Sequence, residues 1–375
     1  MNVLNIFDMM YTNFKFDRNK PIKLFEAFAG YGSQYMALKR LGVKVDVVGY
    51  SEIDKFAIQV YEALHGKHKN YGGIGSFDRL PPNIDICTWS FPCQDISLAG
   101  KQRGMEDGSR SNYGYVFLDT VEATPYHERP KVLLMENVRA LFSATFRDDW
   151  REIQLRLENM GYKNYADVLN AKDYGVAQNR ERVFIVSILG EYNYTFPKPI
   201  PLTKRLKDYL EDEVDEKYYL SETITTMSGS REPKIAYALN SREFKQRGWL
   251  DECPTLCARD YKDPKVILIP EATKQGYALA QDGDGVYINR PHQKRGVVQK
   301  GMIQTIKTSV DDIGVVVDNP LRIRKLTPRE ALRLMDVSES DIDIITSTVS
   351  NAQAYKLAGN SIVVSVLEAI FRNLF

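Results

Sequence analysis

At 375 residues with 43% hydrophobic content, the chain can bury one sizeable core and a second smaller one, which excludes a disordered tail or a short peptide. A formal net charge of +1 gives no whole-molecule pull on a polyanion, so a surface for a charged partner has to be local. Four cysteines and no apolar leader point to a reducing, cytoplasmic setting, and no run approaches the roughly 18 apolar residues of a membrane span.

Residues 1–20 are polar and aromatic and read as an N-terminal arm. Ile22 to Phe28 then reads as a strand, followed by Ala29-Gly30-Tyr31-Gly32-Ser33 and a helix from Gln34 to Leu41. Strand, glycine turn and helix open a nucleotide-type site, because glycines let the backbone approach a ligand closely, although such a turn is also a common packing device. A second strand, Val45 to Tyr50, leads into Ser51-Glu52-Ile53-Asp54 and a helix over 55–65. A carboxylate there, about 20 residues past the glycine turn, suits ribose hydroxyls, and equally suits the first turn of a helix.

The run Ile84 to Trp89 reads as a short buried strand that delivers Ser90-Phe91-Pro92-Cys93-Gln94 to the rim of a sheet. Chemistry in open α/β sheets collects at the carboxyl ends of strands, so Cys93 is a candidate nucleophile, whereas Cys87, inside the apolar run, is core. The polar stretch Asp95 to Asn112, with Gly100, Gly104 and Gly108, reads as a flap. A helix over 115–122 and a strand over 131–135 lead to Glu136-Asn137-Val138. Glu136 at a strand tip is the candidate acid, with turn chemistry and Asn137 as a helix cap the alternative. After a helix over 148–160 and a strand near 165–170, Gln178-Asn179-Arg180-Glu181-Arg182 enters the strand Val183 to Ile188. Arg180 and Arg182 alternate, so they point the same way and suit an anionic or carbonyl-bearing target, with surface ion pairs the duller account.

The prolines of 196–201 end the α/β rhythm, and the acidic run 211–216 is a solvated face. Residues 226–318 are short strand-like pieces, glycines and polar turns; over 231–325 Lys and Arg outnumber Asp and Glu by 17 to 12, a modest basic excess in the least regular segment. Cys253 and Cys257 have a zinc-like spacing without a second ligand pair, so no metal is expected. Helical pattern returns at Thr327, with Pro328 and Glu330 satisfying the rules for a helix start. The chain closes with Ala358-Gly359-Asn360-Ser361 and an apolar helix, 362–371, that must dock on the sheet. The expected fold is therefore α/β, a Rossmann-like mostly parallel sheet with a smaller irregular β-rich domain. The expected segments are an arm (1–20), a catalytic and cofactor-binding domain (21–190), a second domain (191–320) and a returning segment (321–375).

Taken together, Phe28-Ala29-Gly30-Tyr31-Gly32, Pro92-Cys93-Gln94, Glu136-Asn137-Val138, Gln178/Arg180/Arg182, Arg324 to Glu330 and Gly359-Asn360-Ser361 resemble, in order, six motifs of the DNA (cytosine-5) methyltransferases, bacterial and phage type. The resemblance covers about 23–371 and implies the S-adenosylmethionine-dependent methyltransferase fold, with double-stranded DNA as partner and a flipped-out cytosine as target. It implies that Cys93 adds to C6 of the base and that C5 then takes a methyl group from S-adenosylmethionine. Glu136 would hold N3 and the exocyclic amine, and Arg182 with Arg180 the carbonyl oxygen. The cofactor contacts it implies are Phe28, Gly30, Gly32, Glu52, Ile53, Pro92, Asn360 and Ser361. DNA contacts would come from Gln94, Ser97, Lys101, Gln102 and Arg103 on the flap, and from the Thr-Leu-like pairs Thr255-Leu256 and Thr305-Ile306 in the target-recognition domain. Ser76 after Gly75 departs from the acidic residue many relatives carry there. A transfer-RNA cytosine-5 methyltransferase and a catalytically silent DNA-binding relative remain the alternatives, and a cytoplasmic monomer without membrane or metal is expected.

Overall fold

The computed structural model describes residues 12–93, 96, 105, 109–220, 236–238, 266–288, 290, 293–318 and 322–375. Seven strands occupy the first half: β1 (Ile22–Ala27), β2 (Val45–Ser51), β3 (Ile86–Trp89), β4 (Val132–Val138), β5 (Tyr162–Asn170), β6 (Gln178–Asn179) and β7 (Glu181–Leu189). Six of them form one sheet in the order β2-β1-β3-β4-β7-β5, parallel except for β7, which runs antiparallel to both its neighbours. The mostly parallel α/β sheet expected from the chain is thus the framework of the fold.

Side chains alternate across this sheet and both faces are covered. Ile22, Leu24, Val132, Leu134, Phe184 and Val186 belong to one apolar cluster, and Phe25, Ala27, Leu133, Met135, Val183 and Ile185 to the other. The first cluster is closed by α1 (Ser33–Arg40) and α2 (Lys55–His65), the second by α3 (Tyr113–Glu122) and α4 (Arg147–Asn159). Parallel strands leave their carboxyl ends on one edge, so the turns after Ala27, Ser51, Trp89 and Val138 all open on the same side. That edge carries the site.

The irregular half forms small sheets. An antiparallel trio joins β8 (Ala236–Ala238), β9 (Val266–Pro270) and β10 (Tyr277–Ala280). A four-stranded sheet takes β11 (Gly285–Tyr287), β12 (Val298–Gln299), β14 (Ile313–Val317) and β15 (Arg322–Arg324). Between them β13 (Ile303–Gln304) pairs with β6, Gln304 opposite Asn179. The main core also draws in Leu206, Tyr209, Ile303, Ile306 and Val310, which lie far along the chain from the sheet strands. Glu211, read as part of a solvated face, instead donates its amide to Glu330.

Four helices close the chain: α5 (Pro328–Arg333), α6 (Glu339–Thr348), α7 (Asn351–Asn360) and α8 (Val364–Arg372). α8 packs on α1, and α6 on α2, returning the C-terminus to the sheet. The stretch Asn351–Arg372 corrects one expectation, since its length and composition (mean hydropathy 1.3) suit a membrane span. More than half of that window is buried in the protein and residues 361–363 break it into α7 and α8, so its apolar character is that of core helices.

α5 starts as its sequence signals require: Thr327 caps it, Pro328 opens it, and the Glu330 carboxylate reaches back to the Thr327 amide at 2.8 Å. The same carboxylate holds Arg324 through two hydrogen bonds, 2.7 and 2.8 Å, with both side chains buried. Removing one partner strands the other's charge out of water. Glu330→Ala is therefore expected to cost about 3–5 kcal/mol in urea unfolding. Glu368→Ala, whose partner Arg372 is exposed on a helix surface, is expected to change stability by less than about 0.5 kcal/mol.

Candidate active site

Three backbone positions after β1 lie in the left-handed region: Phe28 (φ +57°), Gly30 (φ +57°) and Gly32 (φ +79°). For Phe28 this costs of order 1–3 kcal/mol, a strain typical of functional turns. Gly32 is required sterically as well, because a Cβ there would lie 2.5 Å from the His65 ring. At Gly30 a Cβ would meet nothing within 4 Å, so its backbone faces open space. The loop is held from β2: the Gly30 amide donates to Glu52 Oε2 at 2.9 Å, and the amides of Ile53 and Asp54 donate to Glu52 Oε1. Asp54 caps α2 by accepting from the Phe56 and Ala57 amides, so of the two carboxylates after β2 it is Asp54 that takes the helix-start role. Ile53 stands 75% exposed, an unusual setting for a large aliphatic side chain beside a sheet edge. An open glycine backbone, a carboxylate with lone pairs to spare and an uncovered apolar face fit a nucleoside-bearing cofactor.

The next strands along the same edge carry the reactive groups. Cys93 follows β3, and its segment is pinned from two sides: Asn137 donates its side-chain amide to the Phe91 carbonyl (3.2 Å), and Ser111 its hydroxyl to the Pro92 carbonyl (2.7 Å). Glu136 lies within β4, not in a turn after it, and Asn137 is a strand residue, not a helix cap. The extra length follows from the antiparallel pairing with β7, where Glu136 lies opposite Phe184 and Val138 opposite Arg182. Arg182 Nε meets Glu136 Oε1 at 3.0 Å, with both side chains mostly buried. Asn137 and Ser111 are the functional residues that sequence reasoning missed as such; what they hold is main chain, and residue pattern does not report main-chain contacts.

Burial dominates the electrostatics. It pushes the Cys93 thiol above its ordinary range, the Glu136 charge adds to that, and Arg182 and Arg180 oppose it. Burial likewise pushes the Glu136 carboxyl up, against the pull of Arg182 and Arg180. Cys87 is wholly buried in the strand and pushed further up, consistent with core.

Two of the proposed contacts change role. Arg180 is almost fully buried and donates to three main-chain carbonyls, Ile306 (2.7 Å), Gly359 (2.9 Å) and Ser361 (2.8 Å), so it holds segments together, with only its Nε left without a partner. Burial, then the charge of Arg182, pushes it down to about 9. Ile306 is completely buried, with its amide on the Gln178 side chain, and is core, not a DNA contact. Thr305 donates its hydroxyl to the Asn179 carbonyl and lines a cleft of about 430 Å³ together with Arg139, Asn179, Arg182 and Gln299. Pro92 and Ser361 are half-buried and Asn360 is exposed. Gln94, Ser97, Lys101, Gln102, Arg103, Thr255 and Leu256, with the paired cysteines 253 and 257, lie outside the described residues.

A mostly parallel sheet with a strained glycine loop on its first strand and a cysteine, a carboxylate and an arginine on the adjoining strand ends fits a Rossmann-like enzyme with its site on the strand-end edge. Comparison with known proteins narrows this. The family model for C-5 cytosine-specific DNA methylases matches residues 22–375, and the chain belongs to that family. It is similar to the type II methyltransferase M2.ScrFI of Lactococcus lactis subsp. cremoris, with 31% identity over 94% of this chain and 99% of that protein. It is also similar to the orphan methyltransferase M.SPRI of Bacillus phage SPR, with 27% identity over 94% and 97%. Among solved structures, the S. pombe Dnmt2 methyltransferase shares the fold at TM-score 0.55 and 20% identity, covering 95% of this chain and 98% of that one.

The charges around Cys93 act in opposite senses, which gives a direct check. In iodoacetamide labelling at fixed pH, followed by peptide mass spectrometry, Glu136→Gln is expected to speed alkylation of Cys93 and Arg182→Met to slow it, because only the thiolate reacts. Cys87 is expected to stay unlabelled in the folded protein.

Proposed function

We propose that this chain is a site-specific DNA cytosine-5 methyltransferase in which Cys93 is the nucleophile, Glu136 and Arg182 hold the base, and S-adenosylmethionine is the methyl donor. The observation that carries the reading is the Arg182–Glu136 pair on the strand ends beside the pinned Cys93 segment, next to the open rim of Gly30, Glu52 and Ile53. Membership of the family supports it.

The chemistry follows from the residues. C5 of cytosine is too weak a nucleophile to take a methyl group unaided. Addition of the Cys93 thiolate at C6 moves electron density onto C5 and leaves negative charge to be stabilised around N3 and O2. Glu136, whose carboxyl burial already biases toward holding a proton, shares one with N3 and accepts from the exocyclic amine; Arg182 donates to O2. Bound S-adenosylmethionine supplies the electrophilic methyl group, with Phe28, Gly30, Gly32, Glu52, Ile53 and Pro92 as its cradle and Asn360 and Ser361 at its amino-acid end. Transfer of the C5 proton to solvent water then re-forms the C5–C6 double bond and expels Cys93 as its thiolate, while N3 gives its shared proton back to Glu136. Arg180 is a positioning residue in this scheme: it ties Ser361 and Gly359 to the strand that carries Arg182.

A duplex hides C5 and C6 inside the stack, so the target base has to be extruded. Among the described residues, a cleft between Arg139, Arg182 and the β11–β12 region supports room for such a substrate beside Arg182. We assign the segment 191–320 to target recognition and 321–375 to completion of the catalytic unit. The bacterial and phage relatives support a cytoplasmic setting.

Exposing a plasmid to the purified protein and S-adenosylmethionine, then sequencing for 5-methylcytosine at single-base resolution, is expected to show methylation at one short motif. Cys93→Ala should abolish it and Glu136→Gln should slow it by roughly 10²–10³-fold, the scale of losing one charge-stabilising group. Methylation by Cys93→Ala at the wild-type rate would overturn the assignment.

A further inference from the structure

The geometry points to Arg295 as a specificity-determining residue that reads a guanine edge in the groove beside the extruded cytosine; this rests on the function proposed above. Arg295 lines the same cleft as Arg182 and Arg139. Those two guanidiniums are already committed, Arg182 to Glu136 and Arg139 to Glu181 at 2.6 Å. Arg295 is exposed and has no ion-pair partner among the described residues. An exposed arginine alone is usually a solvated charge, and what sets this one apart is its backbone.

The Gln293 side chain donates to the Arg295 carbonyl at 2.9 Å. The following residue, Gly296, is in the left-handed region (φ +73°), and its carbonyl accepts from Gln299 (3.4 Å) and from Gln304 (3.3 Å). Gln304 also donates to the Val297 carbonyl at 3.1 Å, and Val297 is fully buried in the apolar cluster of the small sheets. The turn that presents Arg295 is thus fixed on both sides while its side chain is left to the cleft. The turn is also tied to the catalytic strand: Gln299 accepts from the Asn179 side chain, Gln304 pairs with Asn179 across β13 and β6, and Arg180 and Arg182 follow directly.

A planar, permanently charged fork with five donors on a rigid turn suits the paired acceptors O6 and N7 of guanine in the major groove. Lys294, adjacent and exposed, is a flexible point charge better suited to a phosphate, which positions the duplex without reading sequence.

The test is methylation of a randomised duplex library, read by sequencing, with wild type, Arg295→Ala and Lys294→Ala. Wild type is expected to require guanine at one position of its motif. Arg295→Ala should lose discrimination at that position alone, by on the order of 10- to 100-fold, with the other positions unchanged. Lys294→Ala should slow all sites alike, less so at higher salt, with the motif intact. A uniform loss across the motif in Arg295→Ala, or an unchanged motif, would overturn the assignment of Arg295 while the methyltransferase reading stands. A wild-type protein that methylates no sequence in the library would overturn both.

Discussion

The hydrogen bonds of Arg180 are the constraint on which the rest of the site depends. A buried guanidinium needs partners for its donors, and here both terminal nitrogens are engaged by three main-chain carbonyls from two distant segments, Ile306 between β13 and β14, and Gly359 and Ser361 at the end of α7, while Nε has no partner. The meeting is close enough to exclude any side chain at Gly359, where a Cβ would lie 2.2 Å from the Lys307 main chain. Glycine there is a packing requirement. One side chain thereby sets the loop after α7, the β13–β14 connection and the strand bearing Arg182 against one another. The chain order of the motifs gives no hint of this, since Arg180 and Ser361 are far apart in sequence.

Around that tie the site is built from opposed tendencies. Burial makes Glu136 and Cys93 reluctant to ionise, and the Glu136 charge adds to this at Cys93; the arginines pull both the other way. A resting thiol that is mostly protonated is stable against adventitious chemistry. In the function proposed above, a base seated against Glu136 would change the charge Cys93 feels and so couple activation of the thiol to the arrival of substrate. The rim after β1 and β2 follows a different logic: strain at Phe28, open space at Gly30 and an exposed Ile53 occur together, and in the function proposed a bound nucleoside would cover the apolar face of Ile53.

Much of this was legible in the residues, for reasons that can be stated. The central strands of the main sheet, β1, β3, β4 and β7, are buried on both faces and read as apolar runs, the glycine turn and the cap at Thr327 are local signals, and the motif order carried the family. Contacts made by main chain or across long sequence separations were not legible. Arg180 and Ile306 looked like ligand-facing residues because their motifs are functional, and the structure buries both. Asn137 looked like a helix cap because strand β4 runs longer than its apolar core. α6 and α7 left too weak an apolar stripe to be read, being helices that pack mainly on other helices.

The most direct test of the account is covalent trapping on duplex DNA in which the target cytosine carries fluorine at C5. Proton loss from C5 is the step that frees Cys93, and fluorine cannot leave in its place, so the adduct should persist. The account predicts a one-to-one protein–DNA complex that survives denaturation, forms in the presence of S-adenosylmethionine, and maps by peptide mass spectrometry to residue 93. Methyl transfer to ordinary DNA with no adduct on the fluorinated duplex, or an adduct on any other residue, would contradict it.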